Sequence, residues 1–99
     1  MPPKPGETVR VHVWVRGRVQ GVGFRAHVEY YARRIGVSGW VRNVGRDMVE
    51  AVAQGTRDET QRFIEMVKQG PRASRVDESR IEWEEADGDL VDFSVRKSL

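Results

Sequence analysis

Cysteine is absent from this chain. That excludes a disulfide framework, a thiolate nucleophile and a cysteine-built zinc site together. Histidine is almost absent: His12 falls in a strand-like stretch, His27 in a helix-like one, and no metal-ligand spacing joins them. No metal and no other cofactor is therefore expected. The serines at 38, 74, 79, 94 and 98 lack any G-x-S-x-G context, which argues against a hydrolytic triad. No apolar run approaches the roughly 18 residues that a membrane span requires. The opening MPPKPGE has no apolar stretch behind its lysine, so no secretory leader is expected, and a cytoplasmic location follows as an expectation. Proline is confined to positions 2, 3, 5 and 71. The first three mark residues 1–7 as a flexible tail and leave 8–99 as a single domain.

What the chain does contain is charge, unevenly spread. Residues 1–46 hold nine Lys/Arg against two Asp/Glu, whereas residues 47–99 hold eight against thirteen. Fourteen of the seventeen basic residues are arginine, a side chain suited to phosphate and carboxylate by its planar fork. The basic half favours anionic partners through its field, although a solvated mixed-charge surface accounts for it equally well.

Hydrophobic periodicity divides the chain into elements. TVRVHVWVR (8–16) alternates strictly, with Val9, Val11, Val13 and Val15 on one face and Arg10, His12, Trp14 and Arg16 on the other, the pattern of a half-buried strand. After a glycine-rich stretch, Phe24, Val28, Tyr31, Ala32 and Ile35 fall on one helical stripe, and Gly36 stands where a helix ends. SGWVRNV (38–44) and MVEAVAQ (48–54) read as a hairpin around Gly45-Arg46-Asp47. Thr56 and Glu59 make a capping box for a second helix, whose apolar face is Thr60, Phe63, Ile64 and Val67 and whose stop is Gly70-Pro71. Strands near Ser79–Glu85 and Leu90–Arg96 follow. The order β-α-β-β-α-β plus an extra C-terminal strand is that of an α+β ferredoxin-like sandwich, an antiparallel sheet with two helices on one face. Trp14, Trp40 and Trp83 read as strand packing residues, and Glu82, Glu84 and Glu85 as a charged edge that resists aggregation.

The stretch VRGRVQGVGFR (15–25) joins the first strand to the first helix with Gly17, Gly21 and Gly23. Glycines there allow the backbone N–H groups to converge on one point, ahead of a helix N-terminus that itself favours an anion. Arg25 would close such a cup over phosphate oxygens. A plain turn followed by a solvated arginine is the other reading of the same letters. Walker A is absent. Gly21-Val22-Gly23-Phe24-Arg25-Ala26 matches the dinucleotide pattern G-x-G-x-x-A, but a hairpin follows the helix and the chain is too short for two nucleotide-binding halves.

The same stretch, Val15 through Arg25, resembles the first signature of the acylphosphatase family at every specified position, and Gly39-Trp40-Val41-Arg42-Asn43 with Val49 and Gly55 resembles the second. The likeness spans nearly all of Thr8–Arg96, with one departure: Asp47 stands where the family has glycine. The resemblance implies hydrolysis of acyl phosphates to a carboxylate and inorganic phosphate by a free-standing, metal-independent enzyme. It implies that Arg25 binds phosphate, that Asn43 orients the attacking water, and that Val19, Gln20, Gly21, Val22, Gly23 and Phe24 supply a backbone N–H cradle. The implied partners are a small-molecule acyl phosphate and inorganic phosphate as product and inhibitor, with no nucleic acid, no membrane and a monomeric state. Asp47 predicts a differently built turn, with Gly45 taking the positive φ. Two other functions fit the same element order. One is an RNA-recognition module using Trp14 with Arg10, His12 and Arg16, against which stands the lack of stacking aromatics in DMVEAVAQ. The other is a cup kept for a different anion, as at the start of the long hydrogenase maturation factors.

Overall fold

A computed structural model describes residues 7–86, 88 and 90–99. Apart from Glu7, the expected N-terminal tail lies outside the described residues. The elements run β1 (Thr8–Arg18), α1 (Phe24–Ile35), β2 (Ser38–Val44), β3 (Met48–Thr56), α2 (Arg57–Gln69), β4 (Arg75–Glu84) and β5 (Phe93–Val95). They form one sheet in the order β4-β1-β3-β2-β5 with both helices on one face. The first four strands in that list pair antiparallel, as the ferredoxin-like reading requires. β5 instead pairs parallel to β2, so the sheet is mixed at that edge.

Alternation in β1 does what its valines predict. Val9, Val11, Val13 and Val15 are buried under the helices, at 7% exposure or less. Opposite them in β3 stand Val49, Ala51 and Ala53, whose small side chains leave room for the helices to approach. Phe24, Val28 and Ala32 of α1 and Phe63, Ile64 and Val67 of α2 complete this core. Each such large apolar side chain, fully buried, contributes about 1.5–3 kcal/mol. Tyr31, expected on the buried stripe of α1, is 42% exposed. It stands at the stripe's margin, where the phenol reaches water and the ring tilts against His27.

Strand boundaries depart from the periodicity where residues are polar. β4 begins at Arg75 rather than Ser79, because the ladder to β1 continues past a bulge at Arg16/Gly17 to pair Arg18 with Arg75. There Gly17 is required by close approach, since a Cβ would lie 2.3 Å from the Arg75 carbonyl oxygen. β5 keeps only Phe93–Val95 of the expected Leu90–Arg96. Phe93 is fully buried against Phe63, at 5.7 Å between ring centroids. No helix among the described residues is long and apolar enough to cross a membrane.

Candidate active site

Between β1 and α1 runs a loop of residues 19–23, anchored at both ends by side chains in the core: Val19 fully buried and Phe24 at 2% exposure. Gly21 (φ 72°) and Gly23 (φ 77°) are left-handed, while Val22 between them keeps a negative φ. A Cβ at either glycine would meet nothing within 4 Å, so the backbone conformation, not space, is what selects glycine. Such an alternation of hand along the backbone is the conformation in which successive N–H groups can turn toward one side, as in known anion-binding concavities.

The loop leads into α1. Its N-cap is Gly23, which offers no side-chain cap, and the first turn contains no acidic residue. The first intrahelical bond runs from His27 N–H to the Gly23 carbonyl at 3.0 Å. The N–H groups of Phe24, Arg25 and Ala26 therefore stand ahead of the helix ladder, at its positive end. No carboxylate among the described residues is paired with Arg25. A cavity of about 340 Å³ opens here, lined by Val19, Gly21, Gly23, Phe24, Arg25, Ala26, Glu29, Asn43 and Val95.

Asn43 reaches this cavity from β2, where alternation puts Trp40 and Arg42 on the open sheet face and Val41 and Asn43 on the other. Its backbone is held from two sides: it pairs with Val49 of β3, and its carbonyl accepts from Leu99 N–H at 2.8 Å. Its side-chain Oδ1 is buried and has no hydrogen-bond partner. A buried acceptor left unmatched costs about 1–3 kcal/mol, so its place at a cavity wall makes Asn43 a candidate to accept a hydrogen from what enters the cavity.

Six of the eight residues singled out from the sequence thus meet at one cavity. Gln20 and Val22 do not line it: Val22 packs against the core, and the Gln20 side chain turns toward the β2–β3 connection. Ala26, Glu29 and Val95 line it without having been expected. Glu29 was findable, because it follows Arg25 by four residues on a helix and so shares its face. It is paired with Arg33 at 3.3 Å. Val95 carried no such signal, since its place depends on the parallel docking of β5, which Arg33 secures by donating to the Phe93 carbonyl at 2.9 and 3.2 Å. Asp47 is not at the cavity. It pairs with Arg16 at 3.5 Å, and Gly45 (φ 60°) takes the left-handed position of the turn, as its sequence suggested.

The opposite sheet face is polar and closed on itself. Glu50, 7% exposed, accepts from Arg42 Nε at 2.7 Å and lies 2.6 Å from His12 Nε2, while His12 Nδ1 lies 3.2 Å from Glu84. Burial raises the Glu50 pKa, but hydrogen bonds from Arg42 and His12 outweigh it and hold the carboxyl below its ordinary value. Glu82 pairs with Arg80 and Glu84 with Arg10, so these acids form a paired edge. Trp14 is stacked on His12 at 3.8 Å with Arg80 over its ring at 4.9 Å. Trp40 carries Arg42 and Arg96 at 4.8 and 4.6 Å. The ring faces on which an RNA base would stack are already occupied. A hollow of about 360 Å³ on this face matches the first cavity in size, yet none of its lining side chains has a buried polar atom without a partner. Size does not choose between the two; chemistry does.

Known proteins show which family the chain resembles. The acylphosphatase family model matches residues 11–95. A curated acylphosphatase from Roseiflexus sp. is 44% identical over 89 residues, covering 90% of this chain and 96% of its own. The crystal structure of acylphosphatase from Bacillus subtilis superposes with a TM-score of 0.84 at 34% identity, covering 89% of this chain and 98% of that one. An acylphosphatase structure from Coxiella burnetii gives 0.82 at 36% identity, covering 97% and 100%. With the family model matched over residues 11–95 and curated and solved relatives alike along nearly the whole chain, the chain belongs to the acylphosphatase family, hydrolases whose substrates are small acyl phosphates.

Proposed function

We propose that the cavity at the start of α1 hydrolyses acyl phosphates by direct attack of water on phosphorus, without a metal. The buried, partnerless Oδ1 of Asn43 at the wall of a cup that also contains Arg25 carries this reading. The backbone N–H groups of Val19–Phe24 and the first turn of α1 take the phosphate oxygens, and the Arg25 guanidinium takes two more hydrogen bonds to them. Asn43 Oδ1 accepts one O–H of a water and so aims its lone pair at phosphorus. As the water oxygen bonds to phosphorus, the bond from phosphorus to the carboxyl oxygen breaks. A carboxylate leaves, which needs no general acid because it is a weak base. The water's proton passes to a phosphate oxygen. Phosphoryl transfer of this kind is mostly positioning and charge stabilisation, which an arginine, backbone dipoles and a neutral amide can supply.

Inorganic phosphate is the product and, fitting the same cup, an inhibitor. The protein works as a cytoplasmic monomer. Initial rates of benzoyl phosphate hydrolysis without added metal, measured beside Asn43→Ala, test the reading. The variant is expected to lose about a hundredfold in kcat while phosphate inhibits it as it does the parent, because aiming a water is not ground-state binding. A variant that turned over at the parental rate would remove Asn43 from the mechanism.

A further inference from the structure

Gln20 lies inside the glycine loop, but its side chain leaves the cup. Nε2 donates to the carbonyl oxygens of Met48 at 2.9 Å, Gly45 at 3.1 Å and Val44 at 3.2 Å. An amide NH₂ has two hydrogens, so three converging acceptors share them. Gly45 belongs to the β2–β3 turn and the other two flank it: Val44, next to Asn43, and Met48 form the last rung of the β2–β3 ladder.

This contact spans a gap that the sheet does not. The loop continues from β1 and Asn43 stands on β2, yet β3 lies between those strands. The ladder therefore relates the cup to Asn43 only through an intervening strand. One backbone bond also ties the end of β1 to the turn, from Gly17 N–H to the Asp47 carbonyl at 3.0 Å. It starts before the loop, however, and Gln20 starts within it. A link from the phosphate-binding backbone to the residues flanking Asn43 controls the separation of phosphate and water. Misplacement of a reacting group by about 1 Å can cost on the order of a hundredfold in rate.

We infer that Gln20 is a positioning residue, whose carboxamide sets the distance between the phosphate cup and Asn43. The inference rests on reading Asn43 as the group that holds water. It assigns the Gln20 side chain a task separate from the backbone cradle to which its own N–H belongs.

The test uses four chains: the parent, Gln20→Met, Asn43→Ala and the double variant. Methionine keeps the length of the side chain and removes the donor. Gln20→Met is expected to lower kcat on benzoyl phosphate by about ten- to a hundredfold, with the inhibition constant for inorganic phosphate within about twofold of the parent. The double variant is expected to turn over no more slowly than Asn43→Ala, because a displaced asparagine and a missing one cost the same step. In ¹⁵N-labelled Gln20→Met the Asn43 side-chain amide signals are expected to shift. Losses that multiply in the double variant, or Asn43 signals unmoved beside a parental kcat, would overturn the inference. Were Asn43→Ala to retain the parental rate, the water-holding role would fall, and the Asn43 signals would still decide whether Gln20 positions that side chain. If Gln20→Met does not fold, Gln20→Asn carries the same test, since it keeps the amide but withdraws it by one methylene.

Discussion

The cup and the open sheet face use the same kinds of residue in opposite ways. On the open face, Arg42 is paired with Glu50, Arg80 with Glu82 and Arg10 with Glu84, and both tryptophans are covered by cations. At the cup, Arg25 has no carboxylate partner among the described residues, and Asn43 Oδ1 is buried without a donor. The two helices repeat the contrast. α2 opens on a full capping box, Thr56 Oγ1 accepting from Glu59 N–H at 3.2 Å and Glu59 returning a bond to Thr56 N–H at 2.8 Å. α1 opens on glycine with no cap and no acid in its first turn. Polar groups of the open face satisfy one another, whereas at the cup two are left unmatched at a cost in stability. The unmatched set is where chemistry is to be sought.

The contrast can be broken from either side. The largest effect belongs to the unmatched side. Arg25→Ala removes the cup's cation and about two charge-assisted bonds, and is expected to lower kcat/KM by at least about 10²–10³-fold. Because Arg25 is paired with no carboxylate among the described residues, the variant's melting temperature should stay near that of the parent. A large loss of stability with little loss of rate would assign Arg25 to structure. Thr56→Ala is the mirror experiment. It strips the cap from α2 and should cost about 1 kcal/mol in urea unfolding, with kcat unchanged. A drop in kcat at full occupancy of the folded state would show that the two helix starts are not separate in function.

The smallest effect concerns the matched face and appears only in acid. The folded Glu50 pKa is lowered from its ordinary value of 4.5, against burial, by Arg42 and His12. Below that ordinary value the unfolded chain binds the proton more readily than the folded one. Glu50 ionisation therefore contributes its full stability above pH about 4.5 and loses it as pH falls through the lowered folded value. Melting temperatures taken from neutral pH down to about pH 3 should fall less steeply for Glu50→Gln than for the parent. Parallel curves would mean that the His12–Glu50–Arg42 cluster does not bias the fold through this carboxyl.

Part of this arrangement is legible in the amino-acid sequence. The four valines of β1 stand on the buried face because period two admits only one arrangement with an apolar side inward, and Thr56 with Glu59 capped α2 as their spacing required. Gly21 and Gly23 were legible as loop glycines; Gly17 was not, for its role is to admit β4 at a bulge. β4 was read four residues short because Arg75–Glu78 has no apolar pattern, and a ladder to β1 needs none. The site followed the same division. Arg25 and the loop could be read together because they are adjacent in the chain. Glu29 is one helical turn away from Arg25 and could have been added by counting.

By itself the sequence determined the elements and their buried faces, the capped and uncapped helix starts, and the left-handed glycines of the loop. All of these arise from interactions between residues a few positions apart. The tertiary structure decided the rest: that β5 runs parallel to β2 and brings Val95 to the cavity, that Asn43 arrives with an unmatched oxygen, and that Gln20 faces the turn. Those contacts join residues more than twenty positions apart, and strand order, which local periodicity does not encode, is what brings them within a hydrogen bond of one another.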